Sequence, residues 1–167
     1  ATGSSAGIAF ASTYCDLVFI TNSSGSGIRE SLEDLPAHTD RIKAHAAGQG
    51  RSIKTLINPI IVSRNTEAQT QEYLRAIVNN KASTRFNNHR VFGSDAQAWK
   101  GREQSSRNTG HDIGGNIEII GTPQQVCDQL VALHQCGIDG IQISFHDFEK
   151  DLAHFGEHIL PLLKAAG

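Results

Sequence analysis

The sequence predicts an α/β fold in which parallel strands alternate with helices. Three observations predict it. Apolar runs of strand length, such as Asp16-Leu-Val-Phe-Ile-Thr21 and Ile141-Gln-Ile-Ser-Phe145, alternate with segments of helical period. The first of these runs is apolar at every position between its ends, as in a parallel strand buried on both faces. The connections are short with one exception, so that about four β/α units follow one another in a single domain over residues 1–167.

Composition narrows the function. The 167 residues can bury one core, and the net charge of −2 comes from 15 basic and 17 acidic residues that are intermixed rather than blocked. That balance argues against nucleic acid or an anionic membrane as partner. No apolar run approaches the roughly 20 residues of a membrane span. Cys15, Cys127 and Cys136 have neither metal-ligand spacing nor an even count, and each lies in an apolar context. They read as core thiols of a cytoplasmic protein. The chain has no methionine, so residue 1 is not a translation start and an upstream part is expected.

In chain order, Ala1-Thr-Gly-Ser-Ser-Ala-Gly7 leads into a short apolar helix, Ile8 to Tyr14. A Gly/Ser turn at a helix start presents free N–H groups and the positive dipole end, which suits a phosphate; a frayed terminus has the same composition. After the strand Asp16 to Thr21, Asn22-Ser-Ser-Gly-Ser-Gly27 reads as a flexible loop. Glu30 to Ala47 is a polar helix with an expected interruption near Pro36, ending at Gly48-Gln-Gly50, and His38 and His45 lie on its exposed side. Ile53 to Ser63 is the longest strand candidate, with Pro59 marking a bulge or irregular edge and Asn58 held extended before it. Thr66-Glu-Ala-Gln69 has capping-box form and opens a helix to about Asn80, with Tyr73, Leu74, Ile77 and Val78 on its apolar face.

Residues 81–116 differ in kind. They are rich in Asn, Ser, Arg and Gly and hold Trp99, His89, His111, Arg90, Arg102 and Arg107 among few apolar residues. So long a stretch of little structure inside a compact domain points to a lid, a binding loop or disorder. Gly114 to Ile120 returns the chain to the sheet. Thr122 caps the next helix, Pro123 opens it, and Gln125 completes a capping box. Val126, Leu130 and Leu133 form its stripe, and Cys136-Gly137 ends it at a left-handed glycine. Ile138 and Ile141 to Phe145 form the last strand, and Asp147 caps a final helix carrying Leu152, Phe155, Ile159, Leu160 and Leu163. His146 stands at the end of that strand, where it either meets a ligand or caps the helix. His154 and His158 are spaced to pair on a metal, but no third ligand is apparent and a solvated face is the preferred reading, so no metal is assigned.

Gly-Thr-Pro-Gln-Gln-Val from Gly121, then Gly-Ile-Asp-Gly-Ile-Gln-Ile-Ser-Phe from Gly137, then Asp147-Phe148 with the late Leu160-Pro-Leu-Leu163, resembles the C-terminal end of the luciferase-like flavin monooxygenases. Within them it is most similar to the pyrimidine- and sulfone-cleaving branches. The likeness is carried most strongly by Gly121 to Leu163 and least by Lys81 to Asn116. It implies a (β/α)8 TIM barrel of which this chain is a partial one, since a complete barrel needs about 250 residues. It implies reduced FMN, supplied by a separate flavin reductase, with O2 and a small organic substrate. The family pattern Ala-Gly-x-Ser-x-x-Gly, which seats the FMN phosphate, is matched by Ala1, Ser4 and Gly7, with Thr2 in place of its first glycine. Gly3 and Ser5 lie within the same loop. The resemblance further makes Arg107, Asn108, His111 and Asn116, on a lid closing over the flavin, candidates for substrate or flavin contact, whereas His146, a candidate from its place at the strand end, departs from the small or proline residue that relatives more often carry there. It identifies no catalytic residue.

A chain equivalent to the second half of that barrel lacks most of the flavin-ring contacts, so full catalysis by this chain alone is not expected. A non-catalytic flavin- or phosphate-binding module, or an inactive fragment of a longer enzyme, is the alternative. Such a half barrel exposes strand edges and the sheet face meant for the interior. It is therefore expected as a homodimer or paired with its N-terminal half, and gel filtration at a mass near the 18.0 kDa of one chain would defeat that expectation.

Overall fold

A computed structural model describes residues 2–22, 24–80, 113–114 and 117–167. Its elements run α1 (Ser5–Tyr14), β1 (Leu17–Phe19), α2 (Ile28–Ala47), β2 (Lys54–Ile57), β3 (Pro59–Ser63), α3 (Glu67–Asn80), β4 (Ile117–Gly121), α4 (Pro123–Gln135), β5 (Gly140–Ile141) and α5 (Phe148–His154). A π-helical turn, Phe155–Ile159, then leads into α6 (Leu160–Ala166). The fold is α/β, every strand pairing is parallel, and the described strands do not close a barrel.

The stretch from Lys54 to Ser63 is the axis of the sheet. Sequence reads it as one strand irregular at Pro59; the structure divides it at Asn58 into β2 and β3. Within a parallel strand, alternate residues turn their N–H and C=O groups to the same flank. On one flank the carbonyls of Thr55, Ile57 and Pro59 accept from the backbone N–H groups of Asp139, Gln142 and Ser144, and Ile61 N–H donates to the Ser144 carbonyl. One rung is missing from this series, because Pro59 has no N–H to give the Gln142 carbonyl. The Asn58 side chain replaces it, its Nδ2 lying 3.1 Å from that carbonyl.

On the other flank Lys54 N–H donates to the Asp16 carbonyl and Ile20 N–H to the Leu56 carbonyl, which seats β1 beside β2. With β5 and its extension on the first flank, β4 pairs with β3 on this second one, in register from Pro59↔Ile117 to Ser63↔Gly121. So β1 and β4 share a flank and β5 has the other. This departs from four units laid side by side in chain order. The continuous ladder along the first flank leaves β4 only the free side of β3.

Burial follows the alternation. Ile57, Ile61, Ile117 and Ile119 face the main core with Leu35, Ile42, Val126, Leu133 and Ile159, while Ile60 and Val62 pack under Leu74 of α3. β3 is buried at every residue, whereas β1 is covered on one face only: Val18 is buried, but Leu17 is 57% and Phe19 48% exposed. In neighbouring α1, Phe10 is 63% and Tyr14 70% exposed, with the two rings 5.1 Å apart. The uncovered sheet face expected of a half barrel is therefore found at β1, while α3 covers it at β3.

Helix ends mostly follow the sequence. Ser4 caps α1, its Oγ accepting from Gly7 N–H at 3.1 Å. Thr122 and Gln125 form the full capping box of α4. Gly137 ends α4 with φ +87°, and an added Cβ would lie 2.8 Å from Thr39 Oγ1, so glycine is required on both counts.

Three readings need correction. β1 is shorter than Asp16 to Thr21 and spans Leu17–Phe19, with the exposed Asp16 just before it pairing through its side chain with Arg51 at 3.0 Å. α2 starts at Ile28 and runs through Pro36 without interruption. Pro36 deprives the Leu32 carbonyl of its i+4 donor; the Cys136 thiol occupies that place, with Sγ 3.7 Å from the oxygen. Burial pushes the Cys136 thiol above its ordinary pKa, so it keeps the proton it donates. The last helix contains a π turn just before Pro161, which cannot donate and whose ring crowds the carbonyl four residues back; Leu160 N–H reaches the Phe155 carbonyl instead.

A second seam joins α2, β2 and the turn into β5. Asp139 Oδ2 accepts from Thr55 N–H at 2.8 Å and pairs with Lys43 Nζ at 2.9 Å, and Lys43 also donates to the Gly137 carbonyl at 2.8 Å. Burial raises the pKa of Asp139, but the hydrogen bonds from Thr55 and Lys43 together outweigh it and hold the carboxyl below its ordinary 3.8. Because the folded value is depressed, this stabilisation is complete above the unfolded value and disappears as pH falls through the folded one. We expect Asp139→Asn to cost about 2 kcal/mol at neutral pH and the difference from wild type to vanish in strong acid. Urea unfolding across acid to neutral pH checks this, and a constant difference would refute it.

Candidate functional site

Strands of a parallel sheet present their C-terminal ends to ligands, and two arrangements lie there. The first is the N-terminus of α1. Thr2, fully buried, reaches the Phe19 carbonyl with Oγ1 at 3.3 Å and so ties the start of the chain to the end of β1. Gly3, Ser4, Ser5 and Gly7 surround the first turn, with Ser5 exposed and no acidic residue in that turn. The sequence read Thr2 as a substitution for a glycine; the structure gives it a positioning role. Beside it, Asn22 is buried and organises its loop, accepting from Ser24 and donating to the Gly25 carbonyl and Ser31 Oγ. The expectation of a plain flexible linker gives way there to an Asn-centred turn.

The second arrangement lies at the end of β3. Arg64 Nη1 pairs with Asp151 Oδ1 at 2.9 Å and donates to the Ser63 carbonyl at 2.6 Å, and its guanidinium carbon lies 3.6 Å from the centre of the Tyr73 ring. Tyr73 OH donates to Asp151 Oδ2 at 2.8 Å, and Asp147 N–H donates to the same oxygen at 3.1 Å. His154 Nε2 is 3.3 Å from Ser63 Oγ, and its ring is 4.8 Å from that of His158. Asp151 is 4% exposed; such a carboxylate is tolerable only with these donors around it.

The local chemistry is one of fixed protons. Burial first, then the hydrogen bond to Asp151 and its charge, raise the Tyr73 phenol above its ordinary 10.0 against the smaller opposite effect of Arg64. Burial, then the His158 and Arg64 charges, lower His154 below 6.5. At neutral pH the cluster therefore holds a protonated phenol and a neutral imidazole. It joins α3 to α5 and gives the β3–α3 turn one geometry.

Of the site residues read from sequence, Gly3, Ser4, Ser5 and Gly7 come together at α1. The strand expected over Ile141 to Phe145 is reduced to Gly140–Ile141 and an isolated bridge at Ser144, and His146 stands exposed beyond it, between Phe145 and the cap Asp147. Arg107, Asn108, His111 and Asn116 lie outside the described residues. Sequence reading missed the Arg64–Tyr73–Asp151 cluster and the buried Glu118 of β4, whose Oε1 accepts from Ile113 N–H at 3.1 Å. A charged residue inside the apolar run Ile117 to Ile120 was the available signal for Glu118. The described residues include no group of three or more His, Cys, Asp or Glu placed to hold a metal, and no helix long and apolar enough to cross a membrane.

The described strands thus form a parallel α/β sheet with a small-residue cluster and a charged cluster at its C-terminal end. The family profile of luciferase-like monooxygenases matches residues 1–140, and the chain belongs to that family. It is 31% identical to an FMNH(2)-dependent dimethylsulfone monooxygenase of Pseudomonas putida over 144 residues, 80% of this chain and 39% of that one. It is 24% identical to the pyrimidine monooxygenase RutA of Serratia proteamaculans over 181 residues, 97% of this chain and 44% of that one. Among solved structures, riboflavin lyase RcaE superposes with a TM-score of 0.70 at 18% identity, over 99% of this chain and 42% of that one. DmoA of Hyphomicrobium sulfonivorans does so with 0.66 at 20%, over 98% and 40%. The chain thus spans about two fifths of the length of these relatives. The profile also covers the N-terminal part, where the motifs alone carried less of the likeness.

Removing the buried carboxylate tests the cluster. Asp151→Ala should cost about 2 kcal/mol, less than the roughly 3–5 kcal/mol of a fully buried pair because Arg64 is partly exposed. In a Tyr14→Phe background the Tyr73 phenol should then ionise at lower pH, read by absorbance near the phenolate band. An unchanged titration would show that Asp151 does not hold that proton.

Proposed function

We propose that this chain forms part of a flavin-dependent monooxygenase that uses reduced FMN and O2 on a small organic substrate. The reading rests on the α1 N-terminus: Ser4, Ser5, Gly3 and Gly7 leave no bulky or acidic side chain in its first turn, and Thr2 holds it at the end of β1. Small residues and a positive dipole end are the donor set a phosphate monoester needs, so the residues fit the FMN phosphate. The bound flavin supplies the electrons that activate O2. The chain's own residues bind and orient it: backbone N–H groups of the first turn hold the phosphate, and Arg107, His111, Asn116 and His146 are the candidates for contact with the substrate.

The reductant comes from a separate flavin reductase in the cytoplasm. The free edge of β1 takes further strands from a second copy or from an N-terminal half of the family's length, whose packing also covers Leu17, Phe19 and the exposed Phe10 and Tyr14 of α1. A second reading, favoured by that same incomplete sheet, is a flavin-binding module without turnover. Oxygen uptake coupled to NADH and a flavin reductase separates the two.

Binding is tested by titrating FMN and riboflavin and following flavin fluorescence. FMN should bind roughly tenfold or more tightly than riboflavin, a difference of about 1.4 kcal/mol. Ser5→Asp should abolish that preference while leaving the fold intact, since a carboxylate in the first turn favours the helix and repels a phosphate. Equal binding of both flavins would refute the phosphate site.

A further inference from the structure

We propose that the groove between α3 and α5 is a site for a small zwitterion of the α-amino-acid kind, separate from the flavin phosphate site. The groove is open to solvent, has a volume of about 450 Å³ and is lined by Arg64, Asn65, Gln69, Glu72, Tyr73, Ala76 and His154. Gln69, Glu72, Tyr73 and Ala76 follow one another at helical spacing, so a single stripe of α3 forms its wall. This stripe lies over the fixed cluster at the end of β3, which makes its floor rigid.

The groups that line it are chemically incomplete. The hydrogen bonds of Arg64 to Asp151 and to the Ser63 carbonyl both run through Nη1, and its side chain also hydrogen-bonds Tyr73. Nε and Nη2 form the side-on fork of the guanidinium, the edge that accepts a carboxylate through two parallel bonds. Stacking on Tyr73 and the bond to Asp151 fix the direction of that fork. Glu72 makes no ion pair among the described residues, and the side-chain amides of Asn65 and Gln69 make no hydrogen bond there. Thr66 caps α3 by accepting from Gln69 N–H at 3.3 Å, without the return bond from the Gln69 side chain that a full box would use.

Charge selects the ligand. Asp151 already neutralises Arg64, so the uncompensated group is Glu72. A simple anion would meet Glu72, and a simple cation would leave the fork unused. A zwitterion places its carboxylate on the Arg64 fork and its ammonium towards Glu72, with the amides of Asn65 and Gln69 completing the shell and the Tyr73 and Ala76 surfaces beneath its side chain.

The test titrates the whole chain, labelled with nitrogen-15, with L-alanine, propionate and ethylammonium, each of the last two carrying one of its charges. L-alanine is expected to shift the backbone amides of Asn65 to Ala76 saturably at millimolar concentration, with each half-ligand at least roughly tenfold weaker (about 1.4 kcal/mol). Glu72→Gln, at an exposed helix position that does not affect folding, should bring L-alanine down to the level of propionate. Arg64→Lys should abolish carboxylate binding. Equal affinity for L-alanine and propionate, indifference to Glu72→Gln, or no saturable shift with any of the three would overturn the assignment.

Discussion

Every other strand takes its place from the stretch Lys54 to Ser63, and that stretch contains a proline. A proline in a central strand deletes one rung of a ladder and is normally excluded for that reason. Here the preceding residue restores the rung from its side chain, so the ladder to β5 continues past the defect. Because that flank is continuous, β1 and β4 divide the opposite one between them, and the main core gathers beneath Ile57 and Ile61. The position of the β3 end, and with it Ser63 and Arg64, follows from this arrangement.

Local features were legible in the sequence where one short segment determines its own conformation. The Thr122 to Gln125 cap, the Gly137 stop, the Asp147 cap and the irregularity at Pro59 each depend on residues within one turn of themselves. Features that needed a distant partner were not. That α2 survives Pro36 depends on Cys136, far along the chain. That Tyr73 is a hydrogen-bond donor, rather than a plain apolar face residue, depends on Asp151. Strand order failed for the same reason, since periodicity reports which face is buried and nothing about which flank is taken. Thr2 shows the intermediate case: its departure from a family glycine was visible, but its reach to the Phe19 carbonyl was not.

The two ends of the sheet differ in character. At the start of the strands, Thr55, Asp139, Lys43 and Gly137 form a hydrogen-bonded seam that fastens α2 to the turn into β5. At their far end Arg64, Tyr73 and Asp151 fasten α3 to α5 in the same way, so each end of the sheet has its own polar fastening. The exposed aromatic and aliphatic side chains of α1 and β1 fall in neither group.

The sulfur of Cys136 has one further implication, for handling the protein. Its proton answers a carbonyl that no backbone amide can reach, so the junction of α2 and α4 relies on a reduced thiol. Conversion to a sulfenate would replace that donor with an oxygen facing another oxygen, turning an attraction into a repulsion inside a helix pair. Burial and the raised pKa keep the thiolate, the form that peroxide attacks, scarce at this sulfur, so the environment that makes the thiol a donor also shields it from oxidation.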